Sequence, residues 1–259
     1  MTVTPPPPRA LSVPGLWPVA AAFVAFIAVW QLVIVLGRLP AFILPGPLDV
    51  ATRFVRAWTD GTIWPHFLTT LSEIVLGFVT GSAVGVVVGY GLARLGLLAR
   101  LASPYLVAAQ AVPILAIAPL LSLWFGTGLL PKVIICGLIV FFPVAIATMV
   151  GIREVDRGLL ELARSLRASR RRVVVDVELP GALPVMFGGL RVGVTLSVVG
   201  AIVGEWAGPD KGLGVLINLA RGSLFDTPLL FATLATIALL GIVAYGLVVL
   251  AERRIVGVR

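Results

Sequence analysis

The stretch ELARSLRASRRRVVVDVELPGALPVM (residues 161–186) is a highly charged interruption between long apolar runs. It contains five arginines and three acidic residues. Apolar residues recur at helical spacing from Val155 to Leu166, which predicts a short helix with one apolar face. A second short segment is expected to follow a break at the arginines and to end at Pro180. The pattern predicts a helix–turn–helix that lies at a membrane surface and presents small residues and mixed charge to the cytoplasm.

The composition of the whole chain indicates a membrane protein. Hydrophobic residues make up 59% of the 259 residues and charged residues 12%, and the mean hydropathy is +1.08. A soluble domain carries about 25% charged residues. Cys136 is the single cysteine and His66 the single histidine, which excludes an intramolecular disulfide, a CxxC metal site and a histidine-based metal cluster or catalytic triad. A membrane-embedded enzyme is therefore disfavoured.

Six apolar segments are long enough to cross a bilayer, which needs roughly 20 residues per helix. We expect an all-α polytopic protein with spans near 17–36, 74–93, 104–124, 133–151, 185–204 and 228–250. The predicted organisation is a Pro-rich disordered tail (1–16), a first transmembrane segment (17–43), an outer amphipathic segment (44–73), a five-helix core (74–254) with the charged loop 152–184, and a short tail (255–259).

The basic residues predict the orientation of these spans. Fourteen of the 20 Lys and Arg residues fall on the side that holds both termini and the loop 152–184, and six on the other. Cytoplasmic loops carry the Lys and Arg excess. Both termini and the charged loop are therefore expected to be cytoplasmic, in contact with membrane lipid. A nucleic-acid-binding protein would place its arginines on a soluble domain, and no such domain is evident, so a nucleic-acid partner is not expected.

Two spans contain residues that suit helix packing or a translocation path. Four glycines at every fourth position form a stripe that lets another helix approach closely; they are Gly77, Gly81, Gly85 and Gly89. Static packing and a sliding seam between moving helices are both consistent with it. In the third span, Pro113 and Pro119 predict kinks, and Gln110 precedes them. These residues suit either a pathway wall or an interhelical contact.

Acidic residues lie near the predicted outer ends of the spans rather than at their centres. Glu205 and Trp206, with Asp210 beyond them, contact solute or a binding protein in one interpretation, and are a solvated acid and an interfacial tryptophan in the other. A proton- or sodium-driven carrier usually keeps a buried acid at mid-depth, which counts against a carrier or channel that works without ATP. The chain also lacks a phosphate-binding loop, so an active pump would need a partner that binds the nucleotide.

The charged segment ELARSLRAS…ELPGALP resembles the EAA signature of the membrane subunits of binding-protein-dependent ATP-binding-cassette importers. Glu161, Leu162 and Ala163 match its opening, and Glu178, Leu179 and Pro180 its close. Arg167 stands where a glycine is usual in the family. In that family the loop docks in a groove of the ATPase subunit and couples it to the transmembrane helices. The resemblance assigns this role to Glu161, Leu162, Ala163, Arg164, Arg167, Ala168, Ser169, Leu179 and Pro180.

Further motifs extend the resemblance from about residue 44 to residue 254. LPGPLDV (44–50), VPILAIAPLLSLWFGTG (112–128) and FFPVAIATMVGIREVD (141–156) are similar to the nitrate, sulfonate and taurine branch of these permeases. GEWAGPDKGLG (204–214) is similar to permeases for thiamine-pyrimidine precursors and riboflavin. The solute implied is one of these heterocycles, with sulfonate, taurine or nitrate as the alternative.

The resemblance also implies a set of partners and a location. Two copies of the chain would form a homodimer around a path in the bacterial plasma (inner) membrane. Two ATPase subunits would bind ATP and Mg, so the chain itself would bind no cofactor and no metal and would catalyse no reaction. An extracytoplasmic solute-binding protein would deliver solute to the outer face. The importer fold with six transmembrane helices and a cytoplasmic coupling helix is the expected architecture.

Overall fold

The computed structural model describes residues 16–95, 101, 104–106, 108–110, 113–208 and 210–257. No β-strand occurs within these ranges. The helices are α1 (Leu16–Gly37), α2 (Pro47–Thr59), α3 (Trp64–Arg94), α4 (Ile114–Phe125), α5 (Leu129–Arg153), α6 (Arg157–Ser165), α7 (Arg170–Trp206), α8 (Leu213–Gly222) and α9 (Thr227–Ile255). The tail before residue 16 and the last two residues of the expected C-terminal tail lie outside the described ranges.

Five of the described helices are long and apolar enough to cross a membrane. They are α1, α3, α5, α7 and α9, which correspond to five of the six expected spans and extend beyond most of the expected boundaries. The expected third span is interrupted: residue 110 lies in a turn, and Pro113 precedes α4. With 12 residues, α4 is about 18 Å long, which is shorter than the roughly 30 Å hydrocarbon layer. Residues 107, 111 and 112 of this span lie outside the described ranges.

Helix α5 is the centre of the bundle and packs between α3 and α7. Gly77, Gly81, Gly85 and Gly89 are all buried, and they approach successive turns of α5 in the same direction, so α3 and α5 are parallel. Helix α7 runs antiparallel on the other side of α5, where Gly189 lies against the carbonyl group of Pro143 and Gly204 against Lys132. Small residues allow such close backbone contact in a bilayer, where lipid supplies no hydrophobic force between helices.

The close contact at Gly81 predicts a large effect of a single methyl group. A Cβ at this position would lie 2.9 Å from the Cα of Gly137 and 3.0 Å from its carbonyl carbon. Because backbone cannot yield as a side chain does, we expect Gly81→Ala to destabilise the protein by about 1–3 kcal/mol. Thermal unfolding of the purified protein measures the effect.

Gly91 provides the matched control on the same helix. A Cβ there meets nothing within 4 Å, so Gly91→Ala is expected to be neutral or slightly stabilising, since alanine favours helix. Equal melting temperatures for the two variants would contradict the close packing of α3 on α5.

Helices α2 and α8 and the first turns of α9 pack around this core at the end where α3 and α5 begin and α7 ends, the far end of the bundle. An apolar cluster there includes Ala57 of α2, Leu213 and Leu216 of α8, and Leu229 of α9. Arg53 of α2 binds Asp226, the residue before α9, at 2.8 Å. Helix α1 contacts α9 through Trp30 and Phe231, whose ring centroids are 5.8 Å apart. Much of its remaining surface is exposed and apolar, as a lipid-facing helix requires.

Candidate functional site

The charged segment that interrupts the apolar sequence lies at the opposite end of the bundle, which we call the charged end. Helix α6 begins after Asp156, whose carboxylate accepts a hydrogen bond of 2.7 Å from the amide of Gly158. Such a cap satisfies one of the free amide groups at a helix N-terminus. Ser169 caps the start of α7 in the same way, accepting a 3.4 Å bond from the amide of Arg172. The first predicted helix and the turn that follows it are therefore present.

The turn between the two helices has a geometry that explains a departure from the family pattern. The amide of Ala168 donates to the carbonyl of Ala163 at 3.0 Å, and that of Arg167 to Arg164 at 2.9 Å. These two bonds define a Schellman motif, whose residue after the cap is left-handed and usually glycine. Arg167 occupies that position with φ 53°. The arginine thus adopts the glycine conformation, and the turn is retained.

The second segment of the charged loop differs from the expectation. It was expected to end at Pro180, but Arg170–Trp206 is one continuous helix of 37 residues. Proline is tolerated in the first turn of an α-helix, and here residues 173–178 form a π-helical stretch directly before that turn. The charged segment therefore continues without a break into the span that crosses the bundle.

Only part of the predicted apolar face of α6 is buried. Val155 and Ala163 are buried, but Leu159, Leu162 and Leu166 are 51%, 55% and 72% exposed. Glu161, Arg164 and Arg167 are exposed as well, and Ala168 is half-buried. The charged end therefore presents three leucines among charged side chains, a combination typical of a protein–protein contact surface.

An ion pair ties this segment to α3. The Nη2 atom of Arg94 lies 2.6 Å from Oε2 of Glu178. The hydroxyl group of Tyr90 accepts a 2.9 Å bond from the same nitrogen and lies 3.4 Å from Glu178. Glu178 is buried, whereas the side chain of Arg94 is 47% exposed. The ion pair holds the π-helical stretch against the last turn of α3.

The far end contains a buried network of charged and polar side chains. The Nζ atom of Lys132 lies 3.1 Å from Oε1 of Glu73, and both side chains are buried. Glu205 is fully buried and accepts hydrogen bonds from the hydroxyl group of Thr70 and the amide of Gly214. Its carboxyl group lies beside that of Glu73. The interpretation of Glu205 as a solvated acid is therefore wrong, because α3, α5 and α8 cover it.

The same network fixes the segment between α7 and α8. Lys132 donates to the carbonyl of Lys211 at 3.2 Å, and the hydroxyl of Thr70 accepts from the amide of Leu213 at 2.8 Å. The Nδ1 atom of His66 lies 2.8 Å from the carbonyl oxygen of Gly212. Gly212 has φ 154°, and a Cβ there would overlap Glu205. Residues 211–213 are thus held through their backbone groups, and the side chain of Lys211 is exposed.

An open pocket of about 600 Å³ lies above this network. It is lined by His66, Thr69, Glu73, Gly128, Leu129, Lys132, Asp210, Lys211, Val215 and Leu219. The other predicted pathway residues lie elsewhere: Gln110 and Pro113 are exposed and do not line this pocket, and Trp206 is half-exposed and donates to the carbonyl of Gly214 at 3.2 Å. The structure brings Glu205 together with Glu73 but not with Gln110.

Sequence reasoning missed Lys132, Thr70 and His66 as members of this network. From the sequence, Lys132 is one of the six basic residues expected on the outer side. One signal was present: Lys132 directly follows Pro131 in the first turn of an apolar helix, where a cation needs a buried partner. The partner itself was not identifiable, since Glu73 and Glu205 come from other helices.

The described residues contain no group of three or more His, Cys, Asp and Glu side chains suited to a metal ion. The buried Glu73 is paired with Lys132, and the buried Glu205 accepts hydrogen bonds from Thr70 and Gly214. The chemistry available at the far end is therefore hydrogen bonding and ion pairing.

Comparison with known proteins identifies relatives over most of the chain. Residues 81–257 match the family described as binding-protein-dependent transport system inner membrane component. The riboflavin transport system permease protein of Chloroflexus aurantiacus is 46% identical over 227 residues, covering 88% of this chain and 84% of the relative. The putative aliphatic sulfonates transport permease protein of Bacillus subtilis is 34% identical and covers 88% and 83%.

One further sequence relative and one solved structure also match the chain. The formylaminopyrimidine transport permease protein of Halalkalibacterium halodurans is 30% identical over 223 residues, with 86% of this chain and 88% of the relative covered. Among solved structures, an inward-facing conformation of the MetNI methionine ABC transporter matches with a TM-score of 0.56 and 25% identity. It covers 75% of this chain and 92% of the matched chain.

Proposed function

Because the chain belongs to the family of binding-protein-dependent transport system inner membrane components, it is the permease subunit of an ATP-binding-cassette importer, and we propose how it couples ATP hydrolysis to solute movement. It is a non-catalytic membrane subunit, and hydrolysis belongs to a separate ATPase chain. A carrier or channel that works without ATP is not consistent with this membership. The proposal concerns the docking surface, the path of coupling, the orientation and the solute.

The exposed leucines of α6 are proposed to dock on the ATPase subunit, which binds ATP and Mg. Leu159, Leu162 and Leu166 are about half-exposed or more, and Glu161 lies among them. The Schellman turn at Arg167 and the caps at Asp156 and Ser169 fix the shape of this surface. A rigid contact surface loses little conformational entropy on binding, which favours transmission of a movement over local rearrangement.

Helix α7 is proposed to carry the movement to the far end. Its 37 residues span about 55 Å at 1.5 Å per residue. It starts within the charged segment, and its last turn holds Glu205, which bonds to Thr70 of α3 and Gly214 of α8. A shift of the docked α6 would therefore reach the far end through one continuous helix. ATP binding supplies free energy only by favouring one of two arrangements of the helices.

The proposed assembly contains two copies of this chain in a bacterial plasma (inner) membrane, with both termini and the charged end in the cytoplasm. The excess of basic residues on that side supports the orientation. An extracytoplasmic binding protein would then deliver solute to the far end.

The proposed solute is riboflavin, a thiamine-pyrimidine precursor or a related heterocycle. The 46% identity to a riboflavin permease, against 34% and 37% to two sulfonate permeases, supports riboflavin over sulfonate, taurine or nitrate.

ATPase activity of the reconstituted complex tests the proposal. The chain is co-expressed with candidate ATPase and binding-protein subunits and placed in lipid nanodiscs, and hydrolysis is measured with riboflavin, a formylaminopyrimidine, taurine and nitrate. We expect a heterocycle with its binding protein to stimulate hydrolysis. Glu161→Lys reverses a charge on the docking surface and is expected to reduce the stimulation about tenfold or to release the ATPase.

Glu154→Lys is the matched control, because Glu154 is also exposed at the charged end but caps α5 rather than belonging to α6. It should leave stimulation and co-purification of the ATPase close to those of the unmodified protein. If no ATPase associates with either form, or if Glu154→Lys has the larger effect, the docking surface is assigned wrongly.

A further inference from the structure

The far-end pocket contains two buried charged groups whose hydrogen-bonding capacity is not filled. Glu73 is 0% exposed, and neither of its carboxylate oxygens has a partner in hydrogen-bond geometry among the described residues, although its carboxyl group lies beside that of Glu205. Lys132 is 3% exposed and has three N–H groups. Two of its neighbours are acceptors within 3.2 Å, Glu73 and the carbonyl of Lys211. Asp210 is 4.0 Å away, which is beyond hydrogen-bond distance.

An acceptor and a donor therefore lie side by side where the pocket meets the network. Unfilled buried polar groups destabilise a protein, so a ligand that satisfies both gains affinity on binding. The complementary group on a solute is an adjacent donor and acceptor, as in an amide, an imide or an amino-substituted ring nitrogen. A neutral edge of this kind brings no charge that must be desolvated.

The charges around the pocket do not favour a small anion. The cations are Lys132 and Lys211, and the carboxyl groups are those of Glu73, Asp210 and the adjacent Glu205. Protonation of one carboxyl group would still leave no net positive charge. Sulfonate or nitrate binding would require a surplus of cations or of donors to replace the hydration that the anion loses.

We propose that this pocket binds the transported solute, with Glu73 accepting from and Lys132 donating to adjacent atoms of a neutral amide-like or aminoheterocyclic edge, and that it discriminates against small anions. This inference rests on the proposed function and selects between its two solute classes. Glu73 and Lys132 are specificity-determining residues in this scheme. Asp210 and Lys211 adjust the charge at the rim of the pocket.

The test is protection of an introduced cysteine in the complete nanodisc complex. Leu219 lines the pocket and is 38% exposed, so Leu219→Cys reports on it. Leu224→Cys is the matched control, because Leu224 is 55% exposed and does not line the pocket. The native Cys136 is fully buried, and the unmodified chain serves as the blank. Modification rates are measured with a cationic and an anionic methanethiosulfonate reagent.

Riboflavin and a formylaminopyrimidine are expected to slow modification of Leu219→Cys, about threefold at a concentration of twice the dissociation constant. They should not slow modification of Leu224→Cys. Methanesulfonate and nitrate should protect neither position. Protection by the anions, or the absence of protection by both heterocycles, would overturn the proposal.

A charge substitution makes the test independent of any single solute. The double variant Glu73→Gln and Asp210→Asn removes two carboxylates from the pocket. At Leu219→Cys, the ratio of the modification rate with the anionic reagent to that with the cationic reagent should therefore rise about tenfold. Methanesulfonate should then begin to protect. Asp210→Asn alone, at a partly exposed loop residue, should shift the ratio in the same direction by a smaller factor even if the double variant fails to fold. An unchanged ratio in Asp210→Asn would contradict the electrostatic argument.

Failure of the pocket assignment can be distinguished from failure of the proposed function. If a heterocycle stimulates ATP hydrolysis through the binding protein but leaves Leu219→Cys unprotected, the importer assignment holds and the pocket is not the solute site. If neither stimulation nor protection by a heterocycle occurs while taurine stimulates hydrolysis, both the pocket and the proposed solute class are wrong.

Discussion

Lys132→Met is expected to destabilise the permease by about 3–5 kcal/mol, because it leaves buried carboxyl groups without their cation. Lys132 is 3% exposed and pairs with Glu73 at 3.1 Å, and Glu205 lies beside them. Methionine has a similar length and no charge, so the change removes the ammonium group and little packing. Thermal unfolding of the purified permease and the yield of folded protein measure the loss.

Two further variants isolate the electrostatic cause. Lys211→Met makes the same change at an exposed lysine of the same end, and surface substitutions usually change stability by less than about 0.5 kcal/mol. Lys132→Met combined with Glu73→Gln removes both partners and should recover much of the lost stability, since an uncompensated buried charge costs more than a missing pair. If Lys132→Met and Lys211→Met have the same melting temperature, the buried network does not stabilise the fold.

Arg94→Glu is expected to separate solute-stimulated ATP hydrolysis from assembly of the complex. It replaces the 2.6 Å ion pair with Glu178 by two carboxylates. The π-helical stretch of α7 then loses its attachment to α3, while the exposed leucines of α6 remain unchanged. We expect the ATPase to co-purify and the stimulation by solute to fall about tenfold, within the range of measured coupling energies.

The exchange variant Arg94→Glu with Glu178→Arg restores opposite charges and should recover much of the stimulation, which a general loss of stability would not do. Arg153→Glu is the control at the same end. Arg153 is exposed, and its hydrogen bond to the carbonyl of Leu92 is 3.4 Å long. Loss of stimulation in Arg153→Glu equal to that in Arg94→Glu would assign the effect to charge at the membrane surface rather than to the ion pair.

The sequence and the structure agree most closely where the determining interactions are local. The spans near 133–151 and 228–250 were predicted from hydropathy, and the helices Leu129–Arg153 and Thr227–Ile255 contain them. In lipid, backbone groups have no water to bond with, so a long apolar segment forms a helix whatever it packs against. The short helix in the charged loop was likewise predicted from a local signal, its periodicity.

Features that depend on the neighbouring turn were predicted less well. The expected end at Pro180 was wrong, because proline is compatible with the first turn of an α-helix that follows a π-helical stretch. The sequence alone does not show whether the turn is retained when Arg167 replaces the usual glycine. In the structure, Arg167 adopts φ 53° and the Schellman turn forms. Periodicity identified an apolar face in the charged loop, but not whether this chain covers it, and Leu159, Leu162 and Leu166 are exposed.

The sequence by itself determined that the protein is a helical membrane protein, where its five long apolar helices lie and where the charged loop lies. It also carried the motifs that identify the family. Only the tertiary structure decided that Glu205 is buried, that Glu73 and Lys132 form an ion pair and that Gln110 lies apart from them. The physical reason is range: a helix satisfies its hydrogen bonds among residues four apart, whereas Glu73, Lys132 and Glu205 meet only when α3, α5 and α7 have packed in register.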